Sequence, residues 1–129
     1  MDVTRQHSET EITEVYGQTC QKFIVTRQKK HPDRVSLLYL RLDGVWHRFF
    51  LDAGLIHWQL GSPSQTDDAP FITEEQFDLG ATWKFVGLVV EHIAFSEERL
   101  TVRFAGGHGF QVFTEAFDGE SICRQIFPD

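Results

Sequence analysis

Residues 38–50 read LYLRLDGVWHRFF, and residues 100–112, 62 positions on, read LTVRFAGGHGFQV. In each, an alternating apolar run ends at a glycine-bearing turn and a second run follows. A period of two places successive side chains on opposite faces of a strand. Leu38, Leu40 and Leu42 therefore share one face, as do Leu100, Val102 and Phe104, while Arg41 and Arg103 point the other way. Asp43-Gly44 is a strong hairpin signal, and Gly106 stands at the corresponding turn. The shared phrase predicts a β unit written twice in one chain.

Working outward, the same pattern continues on both sides. CQKFIVT (20–26) and VSLLYLRL (35–42) read as strands, separated by the basic turn RQKKHPDR. WHRFFLD (46–52) returns from the hairpin, Ala53-Gly54 turns again, and LIHWQL (55–60) follows. Pairing across that turn puts Phe49 and Leu51 on one face with Trp58 and Ile56, and sets His57 opposite Phe50 rather than His47. In the second half LVVEHIAFS (88–96), RLTVRF (99–104), FQVFTE (110–115) and SICRQIF (121–127) repeat the scheme. Upstream of each shared phrase, GQTCQKFIV (17–25) also resembles GLVVEHIAF (87–95), at a slightly different offset. Hairpin signals at this spacing predict a mainly β fold. We expect two similar four-stranded antiparallel meanders forming a sandwich or partly open barrel.

The 129 residues fit one domain. Residues 1–10 read as a flexible lead, 11–60 as the first β unit, 61–86 as a connector and 87–129 as the second unit. Ile12, Val15 and Tyr16 suggest a weak entry strand ending at Gly17. Thr73-Glu74-Glu75-Gln76 has the form of a capping box, which predicts one short helix over 74–79, ended by Gly80.

Net charge is −7 and unevenly spread: residues 1–60 sum to +1 and residues 61–129 to −8. An acidic surface repels phosphate backbones, so nucleic acid is not an expected partner. It suits solubility and attraction to a basic protein. No apolar run approaches the roughly 18–20 residues that span a bilayer, and the polar start MDVTRQHSETE has no signal-peptide character. The expected location is the cytoplasm. There Cys20 and Cys123, which form no CxxC, are expected to be free thiols.

Signatures of catalysis are missing. The chain has no GxSxG elbow, P-loop, HExxH or cysteine-rich zinc pattern. AGGHG (105–109) lies between two strands, not before a helix, and reads as a turn. The six histidines are scattered, so neither a metal nor a cofactor is expected. Asp52, Glu115 and Asp118 are the candidates for a glycosidase-like carboxylate pair, but strand ends and a turn account for them. The aromatics say more. Phe49-Phe50 puts a ring on each face of one strand, with Trp46 and Trp58 close by, so both faces need cover.

The connector is the leading candidate for a binding surface, because long loops in compact domains are often functional. It carries Asp67, Asp68, Glu74, Glu75 and Asp78 against Lys84 alone. Phe71, Trp83 and Trp58 are the expected apolar anchors beside these acids. The run of G…FIV, LRLDG and LTVRF with their turns resembles a loose group of small bacterial β-rich proteins, several of them from toxin-immunity neighbourhoods. Such proteins are small, cytoplasmic, often acidic and non-enzymatic, and they cover the active site of a toxin. The resemblance assigns no functional residue. The expected function is a non-enzymatic protein-binding module, immunity- or inhibitor-like, acting on a basic partner or a second copy of itself. The alternatives are a small-molecule-binding β-barrel and an enzyme whose site is assembled from separated residues.

Overall fold

The computed structural model describes residues 10–28, 30–31, 34–52, 55–63, 74–114 and 121–128. The chain runs β1 (Thr10–Glu11), a 3-10 turn (Thr13–Val15), β2 (Cys20–Gln28), β3 (Val35–Leu42), β4 (Val45–Asp52), β5 (Leu55–Leu60) and β6 (Glu74–Asp78). It continues with α1 (Leu79–Thr82), β7 (Val90–Phe95), β8 (Arg99–Phe104), β9 (Gly109–Thr114) and β10 (Ser121–Ile126). These strands make two five-stranded antiparallel sheets, ordered β5-β4-β3-β2-β6 and β1-β7-β8-β9-β10. They pack face to face as a sandwich and do not close into a barrel.

Each sheet is one of the expected four-stranded meanders with a fifth strand added, and the fifth strand comes from the other half. β6 leads into the second meander but pairs with β2 of the first; β1 leads into the first but pairs with β7 of the second. The unit boundaries expected at 11 and 61–86 therefore do not separate the sheets. Thr10, expected to be flexible, pairs with Phe95; residues 1–9 lie outside the described residues.

Where the halves meet, their hydrogen bonds repeat. The Cys20 N–H donates to the Leu88 carbonyl and the Val90 N–H to the Gln18 carbonyl, both at 2.8 Å. Gly17 donates to Val90 at 2.9 Å and Gly87 to Cys20 at 2.8 Å. Both glycines have positive φ, 89° and 93°, a conformation that side-chain-bearing residues rarely adopt. The first strand of each meander breaks register at the same place, between Cys20 and Lys22 and between Val90 and His92. The shared phrases have their structural counterpart in the core, where Leu38, Leu40, Leu42, Leu100, Val102 and Phe104 are all fully buried.

The helix lies elsewhere than expected. Residues 74–78 form β6, and the helix is Leu79–Thr82. β2 would otherwise leave its ladder unpaired on that side, and pairing with it sets Phe77 opposite Val25. That competes successfully with the capping-box chemistry of the same residues. The cap is Asp78 instead, whose side chain accepts the Ala81 N–H at 3.1 Å. Gly80 does not end the helix. It lets α1 approach β2, since a Cβ there would lie 2.8 Å from the Phe23 backbone nitrogen.

Aromatic rings fill much of the space between the sheets. Phe23 stacks on Phe110 with centroids 4.1 Å apart, and Phe85 lies 4.9 Å from Phe104. Farther along, Phe95 meets Phe49 and Trp58 edge-on at 6.1 and 6.2 Å. The predicted pairing of Phe49 with Trp58, Leu51 with Ile56 and Phe50 with His57 is observed.

Candidate functional site

The expected binding residues do not gather on one surface. Asp67, Asp68 and Phe71 lie outside the described residues. Glu74 and Glu75 belong to the edge strand β6, opposite Gln28 and Arg27. Asp78 is engaged as the helix cap. Trp83 is half-buried against Phe23 and Phe85, at 6.3 and 5.8 Å. Trp58 stands on β5, at the opposite edge of the sheet from β6, with its ring turned into the core. Of the carboxylates considered for catalysis, Asp52 ends β4, while Glu115 and Asp118 lie outside the described residues. Among the described residues no three potential ligands converge as a metal site.

Buried reactive groups have structural surroundings. Cys20 and Cys123 are free and buried, and burial pushes both thiols up to about 12, far from the thiolate form a nucleophile needs. His47 is also buried. Its Nδ1 accepts the Trp58 indole N–H at 3.2 Å, so the neutral ring carries its proton on Nε2. Burial holds its pKa below the usual histidine value, with the Glu14 charge acting the other way. At the β1–β7 junction, the Tyr16 hydroxyl donates to Glu11 at 2.8 Å and lies 3.2 Å from His92 Nδ1. This cluster ties the exchanged strand β1 to the second sheet.

The outer face of the first sheet differs from all of these. Along strands β2–β5 the cationic residues are Lys22, Arg27, Arg41 and Arg48, and the one carboxylate is Asp52, at the end of β4. The hairpin about Asp43-Gly44 places Arg41 opposite Trp46 and Arg48 opposite Tyr39. Alternation turns Lys22, Arg41 and Arg48 away from the core, on the side opposite Leu38, Leu40 and Phe49, whereas Arg27 keeps the phase of Phe23 and Val25 and lies 3.8 Å from the Phe77 ring centre. The Arg41 guanidinium lies 5.9 Å from the Trp46 ring centre, and that of Arg48 lies 5.2 Å from Phe50. Phe50 also stacks on His57 at 4.7 Å, and Tyr39 meets Trp46 edge-on at 6.3 Å. The outer cover that Phe50 was expected to need thus comes from neighbours on its own sheet. Tyr39 is fully buried beneath this layer.

The alternation that points Arg41 outward was plain in the sequence, and the Asp43-Gly44 turn fixes the register that brings Arg48 and Trp46 beside it. The overall acidity of the chain hides this local cationic field. The second sheet carries a sparser version: Arg99 lies 5.0 Å from the Phe113 ring centre, beside an open groove of about 310 Å³ along Phe113, Thr114, Ile122 and Arg124.

Fold and face together define a mainly β sandwich of two five-stranded antiparallel sheets, with a cationic, aromatic surface on one of them. No family model, curated protein or solved structure matches the chain. No helix among the described residues is long and apolar enough to cross a membrane.

Proposed function

We propose that this chain is a non-enzymatic protein-binding module of the immunity or inhibitor type, working in the cytoplasm, and that it meets its partner on the outer face of the first sheet. The observation that carries this is the set of Arg41, Trp46, Arg48, Phe50 and His57 on one continuous sheet surface. Arginine and aromatic residues are the types that dominate binding energy at protein interfaces. A rigid sheet presents them at little cost in ordering on association.

The charge distribution favours a second reading. Residues 61–129 sum to −8, and this excess would attract a basic partner toward the connector acids Asp67, Asp68, Glu74 and Glu75. Site-specific photocrosslinking separates the two. Benzoylphenylalanine replaces Trp46 in one variant, Gln76 on β6 in a second and Phe113 on the second sheet in a third. The first reading predicts a discrete adduct from position 46 alone. An adduct from position 76 alone supports the connector. Equal labelling from all three, or none from 46, contradicts the sheet face.

A further inference from the structure

Arg41 and Arg48 occupy diagonal corners of a square whose other corners are Trp46 and Tyr39. Diagonal neighbours on paired strands have Cβ atoms roughly 7–8 Å apart; the Arg41 guanidinium lies on the Trp46 side of the pair and that of Arg48 on the Phe50 side. Lys22 lies directly opposite Arg41 on the other side. Three cations are thus contiguous, and no carboxylate among the described residues pairs with any of them. The Nε atoms of both arginines are shut off from water and have no hydrogen-bond partner among the described residues. Like charges held together and shielded donors left unmatched both disfavour the free face. A bound anion offsets the repulsion, and the guanidinium fork suits a carboxylate.

We infer that this face takes an acidic segment of a partner protein. Its carboxylates would sit between Arg41 and Arg48, and its apolar side chains would lie on Trp46 and Phe50. This rests on the reading of the chain as a protein-binding module and adds the chemistry of the partner. A nucleic acid offers anions and stackable rings too, but its closely spaced phosphates would face a chain of net charge −7. A segment with two or three carboxylates makes only the local contact. A second copy of this chain, docked through the same face about a two-fold axis, would set arginine against arginine.

The test is fluorescence anisotropy with two labelled probes, hexaglutamate and dodecathymidylate. The proteins are the wild type, the double variant Arg41→Gln/Arg48→Gln, and the double variant Arg99→Gln/Arg103→Gln on the second sheet, which loses the same charge. Thermal melts establish that all three are folded. We expect hexaglutamate to bind the wild type at least tenfold more tightly than the Arg41/Arg48 variant and within twofold of the Arg99/Arg103 variant, with the thymidylate binding more weakly than the peptide. Equal losses in both variants would reduce the effect to diffuse charge. Tighter binding of the thymidylate would make the face a nucleic-acid platform. No saturable peptide binding by the wild type would overturn the inference. If a crosslinked partner at position 46 binds both arginine variants alike, the binding module stands and the acidic occupant falls.

Discussion

Thr19 and Val89 pair with each other in an isolated antiparallel bridge, and they are equivalent positions in the two halves of the chain. Gly17 and Gly87 stand two residues before them, and the flanking hydrogen bonds run Cys20 to Leu88 and Val90 to Gln18. A bridge between a residue and its own counterpart marks an approximate two-fold axis. About that axis the halves exchange their leading strands, β1 and β6. The exchange adds strand pairing between two sheets that also meet through the Thr19–Val89 and Arg34–Ile122 bridges.

The glycines beside this axis should be hard to replace. A Cβ at Gly17 or Gly87 meets no atom within 4 Å, so the cost comes from positive φ alone. Ala at either site should lower stability by about 1–2 kcal/mol. Gly61 has open space and no positive φ, so Gly61→Ala should stay within about 0.5 kcal/mol of wild type. Urea denaturation of the three variants checks this, and equal effects at all three sites would count against the backbone explanation.

At the β6–α1 junction, Asp78→Ala removes the cap and should cost about 1 kcal/mol, with Asp78→Asn recovering most of it. Gly80→Ala should cost more than Asp78→Ala. Its methyl group would meet the Phe23 backbone, which is paired on both sides by β3 and β6 and cannot give way as a side-chain end can. A Gly80→Ala protein melting like the wild type would refute the close helix–strand approach.

His47 should make stability depend on pH. Its folded pKa lies below the unfolded value of 6.5, so the unfolded chain binds more protons across the interval between them. Stability from this residue is complete above 6.5, falls as pH drops through that interval, and levels off below the folded pKa. Val102 on β8 pairs with Phe110, at the place corresponding to the Leu40–His47 pair. His47→Phe tests the point with the ring type the second sheet uses there. It should cost about 1 kcal/mol at pH 7, because the Trp58 indole loses its acceptor. The difference between wild type and variant should then shrink as pH falls below 6.5. A difference constant from pH 7.5 to 5 would show that His47 does not titrate with folding.

The cysteines should be inert until the fold opens. Both are buried with thiols raised to about 12. A thiol reagent at pH 8 should label neither in the native protein and both after denaturation without reductant. Rapid labelling of Cys123 in the native state would show that β10 leaves its sheet readily.

The meanders were legible because alternation and turn residues are local signals: Leu38, Leu40 and Leu42 declare a face, and Asp43-Gly44 declares a hairpin. The exchanged strands were not legible. Thr10–Glu11 is too short to show a period, and Glu74–Asp78 carries helix-cap residues in an edge strand whose pairing is decided by the exposed ladder of β2. The cation-aromatic face was legible in part. Arg41 and Phe50 point outward by alternation alone, but their neighbours follow from register, and the overall negative charge masks the local cationic cluster.

The most direct test of the central claim observes the two arginines themselves. In 15N-labelled protein the Nε–H resonances of Arg41 and Arg48 can be assigned from the single Arg→Gln variants and followed during titration with hexaglutamate. The account predicts that these two shift together and saturate at one affinity, while those of Arg99, Arg103 and Arg124 stay in place. Shifts confined to the second-sheet arginines, or uniform small shifts that vanish with modest salt, would contradict it.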